Sequence, residues 1–181
     1  MQQVPIFLDF ETEGIMPRPL YPPKPVGLAV YDPAGQFDSG YYGFGHSEGN
    51  SCTEDVARDV MATIYASRRP VCFHNAMFDL DVAETHWDLP IPDTELVHDT
   101  LILAFLFDPH VPSLSLKDLV VHWQLDTTQE RDELREWIIT HVPEAKRKSQ
   151  HGVRTFAVPP VDWSAAMPRP TYGLLTTFGL F

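Results

Sequence analysis

The feature that most constrains this chain is the stretch Val4 to Gly14, which reads Val-Pro-Ile-Phe-Leu-Asp-Phe-Glu-Thr-Glu-Gly. Val4, Ile6, Leu8 and Phe10 alternate as the apolar positions of a short strand, so Phe7, Asp9 and Glu11 fall on the opposite face. Two carboxylates then project together from one strand end. They repel each other at neutral pH, and a cation between them relieves the repulsion. The residues alone leave two readings open: a divalent-metal site, or an Asp and a Glu that mark where a strand enters a loop.

Downstream, Pro17, Pro19, Pro22, Pro23 and Pro25 break regular structure and predict a loop beside the carboxylates. Val26 to Tyr31 and Gln36 to Phe44 read as two strands joined by the turn-forming Asp32-Pro33-Ala34-Gly35, which makes a three-strand meander with the first. Thr53 can cap a helix that carries Glu54 and Asp55 in its first turn and Val56, Val60 and Ile64 at helical spacing. Pro70 closes it, and Val71-Cys72-Phe73 is short and apolar enough for a buried strand. Strands, helix, strand, helix predict an α/β fold with mixed pairing. At 181 residues, one domain is expected, with an irregular basic segment from about residue 142 onward.

A second informative stretch is Phe73-His74-Asn75-Ala76-Met77-Phe78-Asp79-Leu80. Asn75 suits a helix N-cap, Phe78 and Val82 would face the core, and Asp79 would lie one turn into the helix, near the ends of neighbouring strands. It can add a third carboxylate to Asp9 and Glu11, or serve only as an acid at a helix N-terminus. Further on, His98-Asp99-Thr100 leads into Leu101 to Phe107. Ser113 or Ser115 can open a helix through Leu116, Leu119, Val120 and Trp123, and Thr127 with Glu130 forms a capping box before Leu134, Trp137, Ile138 and His141.

Charge and composition narrow the function classes. The formal net charge of −12 argues against broad electrostatic capture of nucleic acid. The charge is uneven, though: residues 146–181 carry +4 and the preceding residues −16. A basic segment of that kind can touch phosphates, or can simply be a solvated loop. No apolar run nears the about eighteen residues of a membrane span, and no signal-peptide pattern opens the chain, so a cytoplasmic location is expected. Cys52 and Cys72 lack metal or redox spacing. There is no P-loop, H-E-x-x-H or G-x-S-x-G. Tyr41, Tyr42 and Phe44 can stack on bases or pack along an edge strand, the latter being the commoner use of such residues.

Taken in order, Phe7-Leu8-Asp9-Phe10-Glu11-Thr12 and His74-Asn75-Ala76-Met77-Phe78-Asp79 are similar to the first and second motifs of the DEDD (DnaQ-like) 3'-5' exonuclease superfamily. The chain resembles most the proofreading exonuclease domain of phage family A DNA polymerases, with Asp99-Thr100-Leu101 and Ser113 to Leu119 similar to the segments between its second and third motifs. The resemblance implies an RNase H-like fold, a mixed β-sheet flanked by helices. It implies hydrolysis of the terminal phosphodiester of single-stranded DNA by two Mg²⁺ or Mn²⁺ ions roughly 4 Å apart. Asp9, Glu11 and Asp79 would be the metal ligands and catalytic acids, and Thr12, Asn75 and Phe78 would contact the terminal nucleotide. A DNA polymerase, in cis or in trans, is the implied partner. The family's third motif is Tyr-x-x-x-Asp. Tyr172 stands where it should begin, as a catalytic residue, but Thr176 occupies its acidic position and no Asp or Glu follows Asp162. The missing fourth carboxylate predicts weak binding of the second metal and slow hydrolysis, unless Asp99 or Asp162 takes its place. A nucleic-acid-binding or polymerase-partner module without full activity, and a 3'-5' exoribonuclease of the same superfamily, are the alternatives.

Overall fold

A computed structural model describes residues 3–46 and 49–125 of the protein. Five strands form one mixed sheet in the order β3-β2-β1-β4-β5, with β1 Ile6–Thr12, β2 Pro25–Tyr31, β3 Gly40–Gly43, β4 Val71–Phe73 and β5 Val97–Asp99. The first three strands form the expected antiparallel meander, whereas β4 and β5 add to β1 in parallel. Parallel neighbours need a crossover, supplied by helices α1 (Glu54–Ala66) and α2 (Ala76–Trp87). Helices α3 (Thr100–Phe107) and α4 (Leu116–His122) follow β5.

One face of the sheet carries the core. Ile6, Leu8 and Phe10 of β1 pack with Leu28, Val30, Val71 and Phe73 against Ala57, Met61 and Ile64 of α1 and Leu80, Val82 and Ala83 of α2. The Phe10 ring meets Trp87 edge-on at 4.8 Å, and the Trp87 indole N–H donates to Glu54 at 3.0 Å, tying α2 to the start of α1. The opposite face has only a small cluster of Phe7, Ala29 and Cys72. Alternation along β1 therefore sends its apolar set to the core and leaves Asp9 and Glu11 on the thinly covered side.

Several details depart from the sequence expectations. Val4 lies outside β1 and is about half exposed. The strand expected from Gln36 begins only at Gly40, because the buried Asp32 carboxylate accepts hydrogen bonds from the N–H groups of Ala34, Gln36 and Phe37 and winds those residues into a turn. On α1 the buried face is Ala57, Met61 and Ile64; Val56 points outward, so the larger residue was the wrong marker of the core. Thr53 occupies the N-cap position but its hydroxyl makes no cap hydrogen bond. Ser115 does cap α4, accepting from the Asp118 N–H. The helix expected over 127–141 and the basic segment lie outside the described residues. Among the described residues no helix is long and apolar enough to cross a membrane.

Candidate active site

The site is created by the shortness of β4. It pairs with β1 only at Ile6 and Phe7 and ends at Phe73, so β1 runs on past its neighbour. The Phe10 N–H on that side has no strand to bond to, and an unpaired buried N–H costs about 1–3 kcal/mol. Asp79 satisfies it. Its Oδ1 accepts from the Phe10 N–H at 2.9 Å, across 69 residues of sequence. This bond puts the Asp79 carboxylate at the backbone position between Asp9 and Glu11. Asp79 is buried at 2% exposure, and burial, then the charge of Asp9, raises its carboxyl well above the ordinary value. Although the Glu11 residue surface is largely exposed, surrounding protein raises its carboxyl too, opposed by the positive charge of Lys117 on α4.

Asp79 is delivered by a second carboxylate. Asp99, at the end of β5, accepts from the N–H groups of Asn75 and Ala76 at 3.0 Å each and from Leu101 at 2.9 Å. It thereby caps α2 and α3 at once. Asn75 does sit at the N-cap of α2, but with φ of 70° and no side-chain cap bond; the Phe78 N–H donates instead to the Asn75 backbone carbonyl at 2.9 Å, while Asp99 takes the amides of Asn75 and Ala76. Asparagine is among the residues that tolerate this left-handed backbone, and the turn leaves its side chain exposed. Asp99 is thus a brace with three backbone donors on its two oxygens.

The other expected residues sit around this centre. Thr12 follows a register irregularity after Glu11, and its hydroxyl donates to the Glu13 carbonyl at 3.0 Å. Phe78, expected to face the core, does pack against it while half-buried, and its ring lies 6.5 Å from the Tyr21 ring of the proline-rich loop. His86 fastens that loop to α2 through the Pro22 carbonyl at 3.0 Å. Tyr172, Thr176 and Asp162 lie outside the described residues.

Two neighbours of the carboxylates were not picked out as such by sequence. Lys117 reaches the neighbourhood of Glu11 because His74, just before α2, bonds the Leu114 carbonyl at 3.0 Å and the Thr100 hydroxyl at 2.9 Å, holding the segment that enters α4. A carbonyl only accepts, so the His74 Nε2 carries the proton. Tyr41 of β3 shares a cross-strand row with Ala29 and Asp9. Burial and the charges of Glu11 and Asp9 raise its phenol far above the ordinary value, so it remains an O–H. Gly27 and Gly43, paired across β2 and β3, were the available signal: facing glycines make room for a ring lying across the strands.

Chemically, this is an anionic strand end with hard oxygen donors. Such donors suit Mg²⁺ or Mn²⁺. Among the described residues no three His, Cys, Asp or Glu side chains stand together as a set able to hold a metal ion. No protein-family model matches the chain, and no curated protein matches it either.

Proposed function

We propose that this chain is a metal-dependent 3'-5' exonuclease with an RNase H-like fold, acting on single-stranded DNA ends. The observation that carries the reading is the Phe10 N–H to Asp79 bond, which brings the acids of two distant motifs to one strand end. A mixed five-stranded sheet in which only β2 runs against the others, with helices packed on it, is compatible with that fold.

Asp9, Glu11 and Asp79 would hold two divalent ions, which when bound supply an activated water and stabilise charge on the phosphodiester. The chain's own residues then have separate tasks. Asp99 fixes the start of α2 and with it the position of Asp79. Thr12, next to Glu11 along the chain, and the exposed Asn75, one turn before Asp79, would contact the terminal nucleotide, and the half-buried Phe78 would offer its ring to the base. Lys117 offsets negative charge beside Glu11.

The test is digestion of 5'-labelled single-stranded DNA with Mg²⁺ or Mn²⁺. Stepwise shortening from the 3' end, abolished in Asp9→Asn, is the expected result. No nucleotide release in either metal would overturn it. An RNA strand of equal sequence, run in parallel, separates deoxyribonuclease from exoribonuclease. A second reading, a module that binds nucleic acid without cutting it, is favoured by one observation: Thr176 stands where the family's third motif carries an acid. Strand binding by wild type without any release would establish it.

A further inference from the structure

The carboxylates have a neighbour on the far side from Asp79. In register, Asp9 faces Ala29 and Ala29 faces Tyr41, while Glu11 faces Gly27 and Gly27 faces Gly43. All of these positions point to the thinly covered face. Tyr41 does not stand upright on β3. Its ring leans diagonally along the glycine pair, so that a methyl group added to Gly27 would collide with the Tyr41 hydroxyl and ring, and one added to Gly43 would come within 3.0 Å of Tyr41 Cε1. The hydroxyl therefore lies above Gly27, the residue directly opposite Glu11. Partners opposite each other in an antiparallel pair are about 5 Å apart at Cβ, so the phenol ends beside the Glu11 side chain.

The hydroxyl is also held there. His46 Nε2 lies 2.7 Å from Tyr41 Oη, and the two rings are 5.9 Å apart at 44°. His46 is in turn fixed by its own backbone, whose N–H donates to the Asn50 side chain while the Asn50 amide donates to the His46 carbonyl, each at 2.9 Å. A tyrosine needed only to cover an edge strand has no use for two glycines beneath it and a histidine at its tip.

The geometry points to Tyr41 as a substrate-positioning residue on the Glu11 side of the site: oriented by His46, its hydroxyl donates a hydrogen bond to a non-bridging phosphate oxygen of the terminal nucleotide. With the proton of the imidazole on Nε2, His46 donates to Tyr41 Oη and leaves the phenol hydrogen free to point at the phosphate. Asp79 and Tyr41 then approach the same group from opposite sides of β1. The inference rests on the exonuclease reading.

The test measures kcat and KM for release of nucleotides from 5'-labelled single-stranded DNA by wild type, Tyr41→Phe, His46→Ala, His46→Gln and Gly27→Ala. Tyr41→Phe keeps the ring and removes only the hydroxyl, so folding is preserved, as an unchanged melting temperature would record. It is expected to lower kcat about tenfold or more with KM changed less, the loss of one hydrogen bond to a charged oxygen. His46→Ala is expected to lower kcat similarly, His46→Gln to restore part of it, and the Tyr41→Phe/His46→Ala double variant to be no worse than Tyr41→Phe alone, since the two act as one unit. Gly27→Ala, by pushing the ring aside, is expected to mimic Tyr41→Phe. If wild type cuts and Tyr41→Phe matches it in both constants, the tyrosine proposal is overturned and the exonuclease reading stands. If wild type releases nothing, both fall.

Discussion

At the scale of single residues, Asp79 combines a hydrogen-bond acceptor with a charge, and a substitution can separate the two; the tests with metal and DNA rest on the exonuclease proposal. Asparagine keeps an oxygen to accept from the Phe10 N–H but removes the charge; alanine removes both. Asp79→Asn is therefore expected to raise the melting temperature without metal, and to abolish both the stabilisation by Mg²⁺ or Mn²⁺ and nucleotide release. Asp79→Ala is expected to cost about 1–3 kcal/mol relative to Asp79→Asn, because it orphans the amide. Calorimetry of the two variants with and without metal checks this. The pH dependence has a definite sign. The folded-state value of Asp79 is raised, so the native state binds this proton more readily than the unfolded chain, and metal-free stability falls as pH rises from the ordinary carboxylate range through the raised value. Asp79→Asn should flatten that fall. Asp9, Glu11 and Asp79 were legible as candidates from alternation along one strand and the helical placement of the other acid. The amide that joins them was not legible, since it depends on where β4 stops.

At the scale of elements, two carboxylates act as fasteners. Asp99 serves the N-termini of α2 and α3 together, and Asp99→Ala is expected to cost about 2 kcal/mol and to speed hydrogen exchange at the amides of Asn75, Ala76 and Leu101 first. Asp32 organises the turn between β2 and β3. Beyond its three backbone donors it forms a two-pronged pair with Arg69, both contacts at 2.8 Å, and Arg69 also donates to the Val4 carbonyl at 2.8 Å. The pair is buried, with no exposed surface on the Asp32 side chain and 7% on that of Arg69. Arg69 lowers the Asp32 carboxyl far below the usual range, so its contribution is complete above the ordinary carboxylate value and is lost as pH falls toward the depressed one. Asp32→Ala leaves the guanidinium buried without a counter-charge and is expected to cost about 3–5 kcal/mol in urea unfolding at neutral pH, the deficit shrinking in strong acid. Sequence predicted a turn at Asp32-Pro33-Ala34-Gly35 from residue types. It did not indicate that the carboxylate would hold three amides and delay β3 to Gly40, because side-chain capture of backbone groups leaves no periodic trace.

At the scale of the whole molecule, the mixed α/β sheet was readable in the alternation of apolar runs and turn signals. Which face carries the helices was set by the parity of Ile6, Leu8 and Phe10. Less readable was α3, whose Ile102, Leu103, Phe105, Leu106 and Phe107 are about half exposed or more, although their composition suggests burial. Charge makes a further prediction. With −16 on residues 1–145 and five Lys or Arg residues beyond them, net positive charge is confined to that last segment. The dependence of single-strand binding on salt should be shallow, with a log–log slope no steeper than about −3.5, and divalent metal should strengthen binding where monovalent salt weakens it. A steep slope in titrations of fluorescent oligonucleotide would count against contact through a small number of phosphates.

The three-residue length of β4 carries a last consequence. Pairing between strands and assembly of the acidic centre compete for one donor, the main-chain nitrogen of Phe10. An insertion that let β4 zip further along β1 would make a more complete ladder and evict Asp79 from its seat. Variants selected only for thermal robustness should therefore drift toward a longer fourth strand and, if the exonuclease proposal holds, lose nucleotide release as they do.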